Sequence, residues 1–177
     1  MTSSLETVVL LDEDASPIGT ADKFAVHTEA TPLHLAFSCH VSNERGELLV
    51  TRRSLAKKTW PGVWTNSFCG HPGPEESFEE AIARRASREL GIAVRNVEVV
   101  LPDFRYRAVD ASGIVENEVC PVFRAHLDGV PDPAEDEVAE WRWVPEEALR
   151  AAVMSAPFAF SPWLGWQLAV LPTRSLG

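Results

Sequence analysis

Residues 77–92, SFEEAIARRASRELGI, constrain the fold more than any other stretch of the chain. Ser77 and Glu80 have the spacing of a capping box, and Gly91 stands where a helix ends most easily. Phe78, Ile82, Ala86 and Leu90 recur every four residues and form one apolar stripe. The pattern predicts a helix from about Ser77 to Leu90. A single stripe has to be buried against something, and the flanking segments read as strands. TVVLL (7–11) is a strand stopped by DEDASPIG, a turn or hairpin loop. LHLAFSCHV (33–41) and LLVTRR (48–53) flank the turn NERGE, and VEVVLP (97–102), VENEVCPVFRAHL (115–127) and EWRWV (140–144) follow. Two more helices are expected, one near Pro145 (PEEALRAA) and one over SPWLGWQLAVL (161–171). Helices interleaved with strands predict an α/β protein whose sheet is covered on both faces. The acidic, proline-containing PDPAEDEVAE (131–140) reads as a solvated loop. No internal repeat is visible, and 177 residues suit one domain spanning 1–177.

The net charge of -10 argues against non-specific nucleic-acid binding, although Arg52, Arg53, Lys57 and Lys58 can still form a local anion pocket. No apolar run reaches the roughly 18 residues of a membrane helix, and the N-terminus lacks the pattern of a secretion signal, so a cytoplasmic location is expected. Three cysteines, Cys39, Cys69 and Cys120, are an odd number and form no disulfide framework. Cys69, in TNSFCGHP (65–72), is open to three readings: a zinc ligand, a buried spectator or a reagent.

Two features favour chemistry. Glu116 and Glu118 project side by side from a strand that is otherwise apolar, where unpaired carboxylates would be costly. A cation resolves the conflict. His27, His34 and His71 fall near loops or strand ends, and three imidazoles with two carboxylates make a mixed shell suited to Mn²⁺, Mg²⁺, Fe²⁺ or Zn²⁺. These ligands are scattered over the sequence, so only the fold can gather them. His40 and His126 have no such company and are read as structural. Arg85 and Glu89, four apart, share one helix face beside the apolar stripe.

Gly70 to Ile92, GHPGPEESFEEAIARRASRELGI, resembles the Nudix box, and within that superfamily the chain resembles the type 1 isopentenyl-diphosphate isomerases. KKTWPGVWTNSFCGHP, RRASRELG, PDFRYRA, SGIVENEVCPVF and FAFSPW carry the likeness, from about residue 20 to 165. Where Nudix hydrolases carry metal-binding glutamates, this chain has Arg85 and Arg88, and only Glu89 remains. Guanidiniums bind oxyanions and cannot bind metals. A Nudix nucleotide hydrolase and a non-catalytic diphosphate-binding module are the rival functions.

The resemblance implies a Nudix-type α-β-α sandwich with a mixed central sheet and an N-terminal extension. It implies movement of a carbon–carbon double bond through a carbocation-like state, with Cys69 and Glu118 on opposite sides of the alkene. Tyr106 would assist Glu118, and Trp163 would face the cation. Lys23, Arg53, Lys57 and Arg85 would hold the diphosphate of a small-molecule substrate. Glu89 and the carbonyl of Cys69 would hold a bridging Mg²⁺. His27, His34, His71, Glu116 and Glu118 would hold Mn²⁺, Mg²⁺ or Zn²⁺. Cys39 and Cys120 would be inert, although Cys120 shares the strand of the two glutamates and is placed to line the pocket; Trp60 and Trp64 would line the cavity or only pack. Neither nucleic acid nor membrane is an expected partner, and a monomer is favoured.

Overall fold

A computed structural model describes residues 6–127 and 129–173, and among these lie twelve strands and four α-helices, with one 3-10 turn at Pro157–Ala159. In order they are β1 (Thr7–Leu11), β2 (Pro17–Asp22), α1 (Lys23–Val26), β3 (His34–Leu35), β4 (Phe37–Ser42), β5 (Leu48–Arg53), β6 (Trp64–Thr65), β7 (Phe68–Gly70) and α2 (Phe78–Leu90). There follow β8 (Arg95–Leu101), β9 (Arg105–Val109), β10 (Val115–Val119), β11 (Val122–His126), β12 (Val138–Val144), α3 (Glu146–Ser155) and α4 (Pro162–Val170).

The strands form two mixed sheets. One has the order β2-β1-β3-β10-β9; the other has β12-β5-β4-β11-β8, with β6 on β5 and β7 on β4. Two segments expected as single strands, 33–41 and 115–127, are each broken and pass from one sheet to the other. The breaks lie side by side. Ala36 N donates to Val119 O, and Ser38 N to Pro121 O. Pro121 has no N–H to extend a ladder, so the strand is interrupted there. The hairpin loop after β1 proves to be a hairpin with β2 as its second strand. Periodicity had not marked β2, β9 or the short β6 and β7.

Helix α2 forms for the reasons written in its sequence. Ser77 Oγ accepts from Glu80 N, the Glu80 side chain reaches back to Ser77 N, and Gly91 closes the helix in the left-handed region at φ 62°. A side chain at Gly91 would also strike Asp132 O at 2.7 Å. The stripe Ile82, Ala86 and Leu90, joined by Ala81, packs on Phe37, Val41 and Phe123 of the second sheet, with Phe78 at the margin. Leu149 and Val153 of α3 and Leu164 and Leu168 of α4 pack with Leu48, Val50 and Val122 of that sheet. Neighbouring residues of a strand face opposite sides, so Leu49 in the first cluster and Leu48 and Val50 in the second put α2 and α3/α4 on opposite faces.

The segment 131–140 corrects the reading of a solvated loop. Asp132 N and Ala134 N donate to the orphan carbonyls Leu90 O and Glu89 O at the end of α2. Val138 is buried and begins β12.

Candidate active site

The seam where the chain changes sheets is also where the polar side chains converge. In register, Glu118 of β10 lies between Tyr106 of β9 and His34 of β3. Residues opposite one another in a ladder share a face, so this pairing delivers a phenol and an imidazole to one carboxylate. Tyr106 Oη donates to Glu118 Oε2 at 2.8 Å. His71 Nε2 lies 3.1 Å and His34 Nε2 3.4 Å from Glu118 Oε1. Two residues along the same face, Glu116 Oε2 approaches His27 Nε2 at 3.0 Å.

Donor atoms of His27, His34, His71 and Glu118 all lie within 4.8 Å of one another. His34 Nδ1 donates to Pro32 O at 2.9 Å, which leaves Nε2 as the lone-pair nitrogen. Thr59 Oγ1 donates to Glu116 Oε1 at 2.7 Å. His27 Nε2, His34 Nε2, His71 Nδ1 and Glu116 Oε2 are buried without a well-aligned hydrogen bond: His27 and Glu116 meet only each other there, and His34 Nε2 meets only Glu118. Buried polar atoms are normally satisfied. Converging imidazole lone pairs and a carboxylate oxygen, braced by Pro32 and Thr59, fit a divalent cation with mixed nitrogen and oxygen ligands.

The electrostatics of His71 agree with that fit. Burial lowers the His71 imidazole to about 4, outweighing Glu118, so His71 is neutral and able to ligate. Burial opposes charge on Glu118 too, but His34 and His71 outweigh it and hold the carboxyl well below its usual range. Burial also lowers His34, yet Glu118 prevails and raises it. Burial, then the charge of Glu118, raises the Tyr106 phenol far above its ordinary value.

Cys69, in β7, lies across the cleft wall opposite Ser38 of β4. Burial pushes its thiol up to about 11, against the hydrogen bonds from Ser38 and Asn66. Asn66 is pinned by donating to Phe68 O and Cys39 O. Its Oδ1 accepts from Trp163 Nε1 at 3.1 Å and lies 3.4 Å from Cys69 Sγ. Trp163 is 2% exposed and stacks near Tyr106 and Trp60, whose ring centroids are 5.7 and 5.2 Å away. Trp64 packs instead under α3 and α4. Cys39 and Cys120 are fully buried, burial raises both thiols, and neither borders the cleft.

One cleft of about 450 Å³ is bordered by Cys69, Tyr106, Glu116, Glu118, His27, His71 and Trp163, and also by Lys23, Arg53, Lys57, Arg85 and Glu89. His34 is fully buried and joins the group through Glu118. The cations are paired internally: Lys23 with Glu6, Lys57 with Glu137, and Arg85 with Glu89 and, at 3.4 Å, Glu137. Arg53 donates to Thr59 O and Trp60 O, and its Cζ lies 5.6 Å from the Trp163 ring centroid. Gly70 makes the approach of α2 possible, since a Cβ there would meet Arg85 Cγ at 2.6 Å and Phe37 at 2.8 Å.

The sequence reading missed Glu6, Thr59, Asn66 and Glu137. Glu137 was hidden by the acidic run around it. Asn66 had a signal in its place three residues before Cys69, in a turn-rich stretch.

The NUDIX domain family matches residues 32–164. The isopentenyl-diphosphate Delta-isomerase of Kocuria rhizophila is 68% identical over 166 residues, which cover 94% of this chain and 92% of that protein. The protein of the same name from Leifsonia xyli is 61% identical, covering 99% of this chain and 96% of its own. Among solved structures, DR0079 from Deinococcus radiodurans superposes with a TM-score of 0.74 at 20% identity, over 95% of this chain and all of that one. A MutT protein from Methanosarcina mazei gives 0.54 at 23% identity, over 68% and 82%.

Proposed function

The chain belongs to the NUDIX domain family and, within it, to the isopentenyl-diphosphate Delta-isomerases, and from that membership we propose how its own residues interconvert isopentenyl and dimethylallyl diphosphate. The reaction adds a proton to the terminal alkene carbon and removes one from the carbon nearer the diphosphate, through a tertiary carbocation-like state. It therefore needs a proton donor and an acceptor on either side of the alkene, stabilisation of positive charge, and exclusion of water.

The single observation that carries this reading is that Cys69 and the Tyr106–Glu118 pair border the same cleft. Cys69 exchanges a proton with one carbon. Glu118, with Tyr106 hydrogen-bonded to Oε2, exchanges a proton with the other. In the reverse reaction the two exchange roles. His27, His34, His71, Glu116 and Glu118 would hold Mn²⁺, Mg²⁺ or Zn²⁺, and such a cation, when bound, makes the acid form of Glu118 a stronger proton donor. Trp163 presents an aromatic face to the developing cation. That interaction supplies roughly 0.5–2 kcal/mol, a part of the ~8 kcal/mol or more expected of an enzyme.

The diphosphate is held by Lys23, Arg53, Lys57 and Arg85, and Glu89 with the Cys69 carbonyl would hold an accompanying Mg²⁺. Diphosphate oxygens replace the carboxylates that now pair with the lysines and Arg85. We take the enzyme to be a monomer. Among the described residues no helix is long and apolar enough to cross a membrane. We assign the enzyme to isoprenoid biosynthesis in the cytoplasm.

Incubation with isopentenyl diphosphate in deuterated water tests the reading. Deuterium in an allylic diphosphate product is the expected result. Metal-dependent hydrolysis of nucleoside diphosphate derivatives, with no allylic product, would overturn it in favour of a Nudix hydrolase.

A further inference from the structure

Behind Cys69 lies a file of polar groups that the proposed reaction does not use. Ser38, His40 and Gln167 are at most 2% exposed. Burying three such side chains is costly unless each is satisfied, and here they satisfy one another in series. His40 Nε2 meets Gln167 Oε1 at 2.8 Å. Gln167 Nε2 donates to Ser38 Oγ at 2.9 Å. Ser38 Oγ lies 3.3 Å from Cys69 Sγ and 3.4 Å from Cys120 Sγ.

The chemistry of the groups gives this file a direction. An amide oxygen only accepts, so His40 carries its proton on Nε2. An amide nitrogen only donates, so it occupies a lone pair of Ser38. The remaining partners of Ser38 Oγ are the two sulfurs, and its proton points to sulfur. Of the two, Cys69 Sγ is the nearer, at 3.3 Å against 3.4 Å, and the one that borders the cleft. On the other side of Cys69 lies the Asn66 amide, with both Oδ1 and Nδ2 3.4 Å from Sγ.

We infer that Gln167 and Ser38 are positioning residues for Cys69: the chain from His40 through Gln167 turns the Ser38 hydroxyl onto Cys69 Sγ. A donor fixed on the sulfur supports the negative charge that develops as its proton leaves, and it needs no reorganisation in a closed site. Gln167 stands one turn beyond Trp163 on α4. One helix therefore places both the aromatic face and the amide that sets the thiol's partner. The inference rests on Cys69 as a reacting group.

Steady-state kinetics of Ser38→Ala, Gln167→Met and the double variant test it, with Cys69→Ala as the control. Losing a hydrogen bond to a charged group predicts kcat lower by on the order of tenfold to a hundredfold in each single variant, with KM for isopentenyl diphosphate within about twofold. The double variant should be no slower than Ser38→Ala alone, because Gln167 acts only through Ser38. Additive losses, or an unchanged kcat in folded Ser38→Ala, would overturn the inference.

If Gln167→Met does not fold, the infrared S–H stretch of Cys69 in folded Ser38→Ala decides. Subtracting the spectrum of Cys69→Ala isolates the band. It should shift from its wild-type frequency, and an unmoved band sinks the proposal. If Cys69→Ala itself turns over normally, the assignment of Cys69 fails, which is a separate outcome.

Discussion

Cys69 and Glu118 differ in how they are held, and the difference predicts how each responds to change. Glu118 is fixed by its strand register between Tyr106 and His34. Cys69 is fixed by Asn66 and Ser38. Replacing Cys69 with alanine removes the proposed reacting atom and leaves the cations untouched. We therefore expect isomerisation to fall by at least ~100-fold, the lower range of a general acid or base, while diphosphate affinity measured by calorimetry changes little. The opposite pattern would contradict the role given to Cys69. His40 makes a second prediction, for stability. Burial holds it neutral down to about 4, whereas the unfolded chain takes up that proton near 6.5. Its folded value is depressed, so between those pH values the unfolded state binds more protons and stability falls as pH falls. Below about 4 the loss from this group is complete, at about 3 kcal/mol. Urea unfolding at pH 7 and pH 4.5 should show a smaller drop in His40→Gln than in the wild type. An equal drop would mean that His40 is not the group being titrated.

Helix α2 shows how much local sequence can specify. Its capping box, its left-handed glycine and its stripe all lie within sixteen residues and need no distant partner to be read. Ser77→Ala should cost about 1 kcal/mol in chemical denaturation, typical of an N-cap, and should leave kcat unchanged because Ser77 is exposed at the far end of the helix from Glu89. A loss of activity without a loss of stability would argue against a purely capping role. The strands were less legible. LHLAFSCHV and VENEVCPVFRAHL each look continuous because hydrophobicity does not register which sheet a residue joins. Pro121 was the one local mark of a break. Nothing in Ala36 marks its counterpart, which is decided by pairing with Val119. The acidic segment misled for the same reason. Its charge suggested solvent, but its backbone caps α2 and its Glu137 meets Lys57 and Arg85. Those cations, outweighing burial, lower the Glu137 carboxyl to about 2.

Across the molecule, the two sheets meet where their shared strands cross, and the cluster of imidazoles and carboxylates occupies that meeting. Buried nitrogens and a carboxylate oxygen without aligned hydrogen bonds are costly, and a cation in the cluster would satisfy them. Chelation should therefore abolish turnover, and it should also lower the melting temperature. Mn²⁺ or Mg²⁺ should restore both, since a ligand that binds only the folded state stabilises it by mass action. An unchanged melting curve after complete metal removal would count against a cation in this cluster. By itself, the sequence determined the three longer helices, the α/β class and the kinds of side chain available for chemistry, because capping, periodicity and residue type are local properties; the short α1 went unmarked. Residue type and spacing left the rival readings of Cys69 open, and the family resemblance pointed to a reagent. Tertiary structure alone decided that His27, His34 and His71 meet Glu118, and that Cys69 faces the same space. Such meetings depend on strand register and sheet crossing, which join residues far apart in the chain and leave no periodic trace along it.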